Sequence, residues 1–145
     1  MFRRPVFWAV TVLVLAGGIL ALVSATQTSE SGVALPDRVR HASHRVVQAY
    51  EYAVTHPGEV AKYPCYCGCG PMGHTSNLSC YLSGFNGNGD PVWDYHALGC
   101  GICVDITLDV KRLRDEGWSS PDIRQYIDAR YGRFGPGTNT PLPLS

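Results

Sequence analysis

The periodicity of apolar and polar positions predicts three helices. From Asp37 to Thr55 the residues Val39, Ala42, Val46, Ala49, Tyr50, Ala53 and Val54 recur at helical spacing. Pro36 and Asp37 suit the start of one amphipathic helix, and His56-Pro57-Gly58 suits its stop. A second helix is expected from about Cys103 to Glu116, with Ile102, Ile106, Val110 and Leu113 on one stripe and Gly117 just past its end. A third follows at once: Ser120 as cap, Pro121 as first helical residue, Asp122 in the first turn, then Ile123, Ile127 and Tyr131 up to Gly132. These last two form a helical hairpin. Between the first helix and the hairpin, Pro64 to Asp90 is rich in Gly, Asn and Cys and keeps no period, so it should be irregular and held by something other than backbone ladders. Within it, Asn86-Gly87-Asn88-Gly89-Asp90 reads as a turn, because it lacks the regular oxygen ligands and closing Glu of a calcium loop. The fold class is mainly α: a small helical domain in which a leading helix and a C-terminal hairpin bracket an irregular Cys-rich segment.

The two ends differ from this domain. Phe2, Arg3, Arg4 and Pro5 lead into an apolar run from Val6 to Val23, so residues 1–25 read as a signal peptide or a membrane anchor. Val23-Ser24-Ala25 has the small residues a signal peptidase accepts, while the run is marginally long enough to span, and both readings stay open. In either case Arg3 and Arg4 orient the segment with the remainder outside the inner face, which predicts an extracytoplasmic, membrane-anchored or secreted protein of the cell envelope. No cysteine precedes Pro64, so any anchor is the apolar helix and not a lipidated thiol. Residues 26–35 read as a linker, 36–134 as the domain, and 135–145, Gly-, Pro- and Thr-rich, as a flexible tail, disordered or extended. Twelve Lys and Arg balance twelve Asp and Glu, which removes the basic field that a nucleic-acid partner requires.

The chemistry lies in six cysteines. Cys65, Cys67 and Cys69 stand at alternate positions, a spacing that puts three thiols on one side of an extended segment or curls them inward around Gly68 and Gly70. A disulfide between residues two apart closes a small ring with poor geometry, whereas a metal ion has no such restriction. Thiolates held close together repel one another unless a cation lies between them. Downstream come Met72, His74, Cys80, His96, Cys100 and Cys103. If helix begins by Trp93, then His96, Cys100 and Cys103 share a face; if it begins later, Cys100 and Cys103 sit at its N-terminus, where thiolate is favoured.

The candidate metal ligands are therefore Cys65, Cys67, Cys69, Cys80, Cys100, Cys103, His74 and His96. Eight donors exceed the four of one tetrahedral ion, so either some are spare or thiolates bridge several ions. Soft donors favour Cu(I), with Zn(II) or another thiophilic metal also compatible. The partners that follow are the metal ion, a copper-donating or copper-receiving envelope protein, and the membrane if the N-terminal helix is retained. No acid/base pair or nucleophilic triad is present, so no enzyme is predicted; a thiol-disulfide oxidoreductase is the form an enzyme would take.

Plainer readings stand beside this one. An even number of cysteines in an exported chain also suits a disulfide framework, with fifteen ways to pair six thiols. His41 and His44, at i and i+3, suit a solvated helix face, and His56 before Pro57 suits a helix end. Tyr66, Tyr81, Trp93 and Tyr95 suit an apolar roof over the thiols.

The string Pro64-Cys65-Tyr66-Cys67-Gly68-Cys69 resembles the signature of the bacterial PCYCGC-motif family, and Tyr50 to Pro57, Gly73-His74, Cys80, Trp93 to Ala97 and Cys100 to Ile106 extend the likeness. The resemblance covers about Tyr50 to Gly132 and implies an envelope protein with a heavy-metal association. Members with a lipid anchor carry a Cys that this chain lacks. A more local likeness, through Cys100-Gly-Ile-Cys103, Glu116 to Ser119 and Ala129 to Gly132, is to the CxxC helical hairpin of the thiol subunit in cytochrome c maturation. It implies an alternative function in which Cys100 and Cys103 exchange electrons with a partner's dithiol.

Overall fold

In a computed structural model, residues 32–144 are described, and the apolar segment Val6 to Val23 and most of the linker lie outside them. Among the described residues no helix is long and apolar enough to cross a membrane. The first predicted helix is two: α1, Asp37–Arg40, and α2, His44–Thr55. Ser43 adopts extended backbone angles (φ −61°, ψ 150°) and starts α2 afresh, a conformation to which serine is suited at a helix N-terminus. His56 closes α2 and opens the short α3, Pro57–Val60, which matches its reading as a helix-end residue.

The middle segment is less irregular than expected. It holds two 3-10 turns, Gly70–Met72 and Asn77–Cys80, and an antiparallel hairpin of β1, Leu82–Phe85, and β2, Pro91–Trp93. Leu82 pairs with Trp93 and Gly84 with Val92, with an irregularity between Leu82 and Gly84. The turn at Asn86–Asp90 is closed by the Asn86 side chain, whose Oδ1 accepts from the backbone N–H of Asn88 (2.9 Å) and Asp90 (2.8 Å).

After β2 come α4, His96–Gly99, then α5, Gly101–Asp115, and α6, Ser120–Tyr131, ending in a 3-10 turn, Gly132–Phe134. The α5–α6 hairpin is as predicted. Gly117 (φ +84°) ends α5: its N–H bonds the Arg114 carbonyl (2.9 Å) and that of Trp118 bonds the Leu113 carbonyl (3.0 Å), the paired closure a left-handed glycine permits. The cap of α6 is one residue earlier than expected: Ser119 Oγ accepts from Asp122 N, and Ser120 is already helical. The predicted stripes face inward. Ile106, Val110, Leu113, Ile123 and Ile127 are buried against Val39, Ala49, Ala53, Val60 and the rings of Tyr50, Tyr63 and Tyr81.

The segment from Gly135 onward, expected as a flexible tail, is extended and bonded to the domain. Thr138 N–H donates to the Cys65 carbonyl (2.9 Å), the Cys65 N–H donates to Thr138 Oγ1 (2.9 Å), and Thr140 Oγ1 donates to the Thr75 carbonyl (2.7 Å). Arg124 on α6 holds the same strap through the carbonyls of Thr140 (3.1 Å) and Pro141 (3.2 Å). Composition does not register these pairings, because each joins residues distant in sequence and has a backbone group on at least one side.

Candidate metal centre

Each candidate ligand is presented by a separate local device. Gly68 (φ +82°) turns the chain between Cys67 and Cys69, a backbone conformation that costs glycine little, so alternate thiols curl toward one centre. Cys80 closes the second 3-10 turn. Cys100 is the break between α4 and α5, with extended angles (φ −120°, ψ 98°), and Cys103 lies in the first turn of α5. Of the two geometries left open by the sequence, helix starting at Trp93 or at Cys100, the structure takes the second for α5, with His96 beginning the short helix before it.

All six cysteines are free thiols and converge on one place. Cys65 Sγ lies 3.2 Å from Cys67 Sγ and 3.4 Å from Cys103 Sγ; Cys103 Sγ lies 3.2 Å from Cys80 Sγ and 3.6 Å from Cys67 Sγ; Cys69 and Cys80 are 3.9 Å apart. The imidazoles complete the set. His96 Nε2 is 3.2 Å from Cys67 Sγ, His74 Nδ1 is 3.5 Å from Cys80 Sγ, and the two rings meet edge to face at 5.2 Å. Four sulfurs about 2.3 Å from a central ion stand roughly 3.8 Å from one another, and the observed separations fall close to that. Among the described residues the donors form two groups whose atoms all lie within 4.8 Å of one another: Cys65, Cys67, Cys69 and Cys80, and Cys67, His96, Cys100 and Cys103. The cluster can hold a metal ion.

Electrostatics point the same way. Hydrogen bonds from Cys103 and then Cys80 pull the Cys65 thiol far below the ordinary thiol range. Burial, followed by the neighbouring Cys65, pushes Cys67 up, and burial likewise raises Cys69. Cys103 is raised by its hydrogen bonds with Cys65 and Cys80. For Cys80 the bond from Cys103 acts downward, but that with Cys65 and burial outweigh it, and it too is raised. One thiol lowered beside four raised is the pattern of buried sulfurs that disfavour one another's charge.

Sequence reasoning overlooked Asp94. Its Oδ1 accepts from His96 N (2.8 Å), its Oδ2 lies 3.8 Å from His74 Nε2, and its backbone is tied by Tyr50 Oη to its carbonyl (2.9 Å) and by its N–H to the Tyr81 carbonyl (2.7 Å). A carboxylate facing the far nitrogen of a histidine orients the ring and raises its basicity toward a metal. The signal available was an acid two residues before His96. Met72, a soft atom within reach by sequence, is instead 62% exposed. His41 is exposed, its Nδ1 bonded to the Asp37 carbonyl (2.8 Å). Of the four aromatic residues, Tyr66 and Tyr81 are buried, the latter donating to the Cys103 carbonyl (2.8 Å), Trp93 is half-buried, and Tyr95 is exposed beneath Arg38.

Comparison with known proteins finds no significant match among curated proteins and none among solved structures. Residues 23–143 match the family described as "Protein of unknown function with PCYCGC motif", a span that takes in every candidate ligand of the cluster. The chain belongs to the PCYCGC-motif family.

Proposed function

We propose that this protein binds Cu(I) on the outer side of the cytoplasmic membrane and buffers it or passes it to an envelope partner. The observation that carries the reading is convergence: free thiols and imidazoles from separate stretches of chain meet in one cluster, five of the sulfurs having a neighbour at 3.2–3.9 Å and Cys100 lying within 4.8 Å of Cys67, His96 and Cys103. A disulfide framework distributes its cysteines as pairs that staple different loops, whereas a centre for a soft ion gathers them. Thiolate-rich donors with imidazole support suit Cu(I), and Zn(II) is the alternative the same donors admit.

Dithiol exchange through Cys100 and Cys103 alone fits less well. Cys103 is fully buried and packed against Cys65 and Cys80, so a redox cycle at the pair would disturb the whole cluster.

The test is a competition titration of the full chain, purified without oxygen, against a coloured Cu(I) chelator, with Zn(II) titrated in parallel and free thiols counted. Copper retained against the chelator with all thiols reduced supports the reading. Zinc retained and copper lost would reassign the metal, and three disulfides with no metal would overturn it. The envelope location is tested by fusing a reporter enzyme active only after export to Ser145; an inactive, stable fusion would refute it.

A further inference from the structure

We infer that the cluster holds two ions of unlike lability joined through the Cys67 thiolate: an inner one that is retained and an outer one that is the cargo. The inference rests on the metal-binding reading above and deepens it.

The two compact donor groups share Cys67 and nothing else, so together they present seven donors, more than one soft ion takes up. Cys67 is placed for both. Its sulfur lies 3.2 Å from Cys65 in the first group, and 3.6 Å from Cys103 and 3.2 Å from His96 in the second. A thiolate has lone pairs enough to bridge two soft cations, and its shared negative charge lowers the repulsion between them.

The groups differ in what surrounds them. Apart from Cys67, the inner donors Cys65, Cys69 and Cys80 are at most 1% exposed. Their loop is also fixed at Cys65 by two bonds with Thr138, one to its backbone N–H and one to its hydroxyl. In the outer group only Cys103 is buried, and Cys67, His96 and Cys100 are half-buried. Cys100 stands at a break in the helix between Gly99 and Gly101. A Cβ at either glycine would meet nothing within 4 Å, and neither has a positive φ, so neither packing nor backbone conformation requires glycine there. Cys100 is half-buried and its flanking glycines set no side chain beside it, which on this inference is the side from which an incoming thiol approaches.

Transfer is then a ligand exchange without change of oxidation state. The acceptor's sulfur bonds the outer ion as the bond to Cys100 breaks, and the proton lost by the acceptor thiol passes through solvent to the released Cys100 thiolate. The inner ion, lacking such an approach, stays and keeps Cys65, Cys67 and Cys69 in place for the next outer ion.

The experiment loads the full chain with Cu(I) without oxygen, measures copper per chain, and follows its loss to an excess of the coloured Cu(I) chelator by stopped flow. Two ions per chain are expected, leaving in two phases of equal amplitude with rates about tenfold or more apart. Cys100→Ser keeps a residue suited to a helix N-cap and should remove the fast phase with one ion. Cys69→Ser should accelerate the slow phase and leave the fast one. Cys67→Ser should change both rates. A single ion, a single phase, or a Cys67→Ser protein with two ions and unaltered rates overturns this inference while leaving metal binding intact. A wild-type chain that binds no copper overturns the metal-binding reading itself.

Discussion

Thr138→Val tests the contact between the C-terminal strap and the thiol loop, together with the bond of the same hydroxyl to Thr140 Oγ1 at 3.0 Å. The substitution removes one hydroxyl and keeps the shape and the preference for extended backbone. That hydroxyl accepts the Cys65 N–H at 2.9 Å, in a place where Cys65 is fully buried and Thr138 is 8% exposed. In the variant the Cys65 N–H has lost its partner where water cannot readily replace it, a loss of about 1–3 kcal/mol. For a domain of this size 1 kcal/mol moves the midpoint by roughly 4 °C, so thermal unfolding of the reduced, metal-free protein should fall by about 4–12 °C. Thr138→Ser keeps the acceptor and should recover most of that difference. The assay is paired thermal and urea unfolding of the three proteins under reducing conditions. A valine variant within about 0.5 kcal/mol of the parent, or a serine variant as unstable as the valine, would refute the claim that this bond holds the loop.

Four further outcomes follow from the same geometry. Gly137→Ala places a Cβ 2.9 Å from Cε1 of Tyr66 and 3.2 Å from Cβ of Pro64, and the ring is tied by its hydroxyl to Asp128, so unfolding experiments should show a loss of about 1–3 kcal/mol; Gly58→Ala, where the added Cβ meets nothing, should show none. Ser119→Ala removes the cap of α6 and should cost about 1 kcal/mol in urea, whereas the same change at Ser120 should leave the cap bond intact. The raised thiols fix the sign of the pH dependence: Cys67, Cys69, Cys80 and Cys103 keep their protons in the metal-free fold while the unfolded chain loses them near pH 8.5, so stability of the metal-free protein should fall as pH rises above about 8.5. Metal loading at pH 7 should release protons from these same four thiols, measurable by calorimetry in buffers of different ionisation enthalpy, and release of fewer than about two per chain would contradict the assignment.

What could be read from the sequence is what depends on local pattern. The α5–α6 hairpin was legible because Ile106, Val110, Leu113, Ile123 and Ile127 repeat at helical spacing and Gly117 marks the turn. The break at 41–43 was not, since the apolar spacing runs through Val39, Ala42 and Val46 without interruption while the backbone leaves helix for only three residues. Adjacent serines at 119 and 120 are both good caps on paper; Pro121 as first helical residue would favour Ser120, whereas the structure caps α6 with Ser119 through the bond from Asp122 N. The β hairpin was hidden by strands of four and three residues, too short for alternation to show, with a proline in the second. The ligand types were legible, because alternate cysteines resist local pairing, but their division into two groups depends on how α5 packs beside the thiol loop. Thr138 and the Asp94 contact to His74 were missed because each links residues distant in sequence, which composition and periodicity do not record.

The central claim is that sulfur from this cluster coordinates the metal. It is tested most directly by X-ray absorption at the copper edge of the full chain loaded with Cu(I) and kept reduced. The account predicts a first shell dominated by sulfur at about 2.3 Å with a minor nitrogen contribution that diminishes in His96→Ala. A shell of nitrogen and oxygen alone, with the six thiols still free to react, would contradict it.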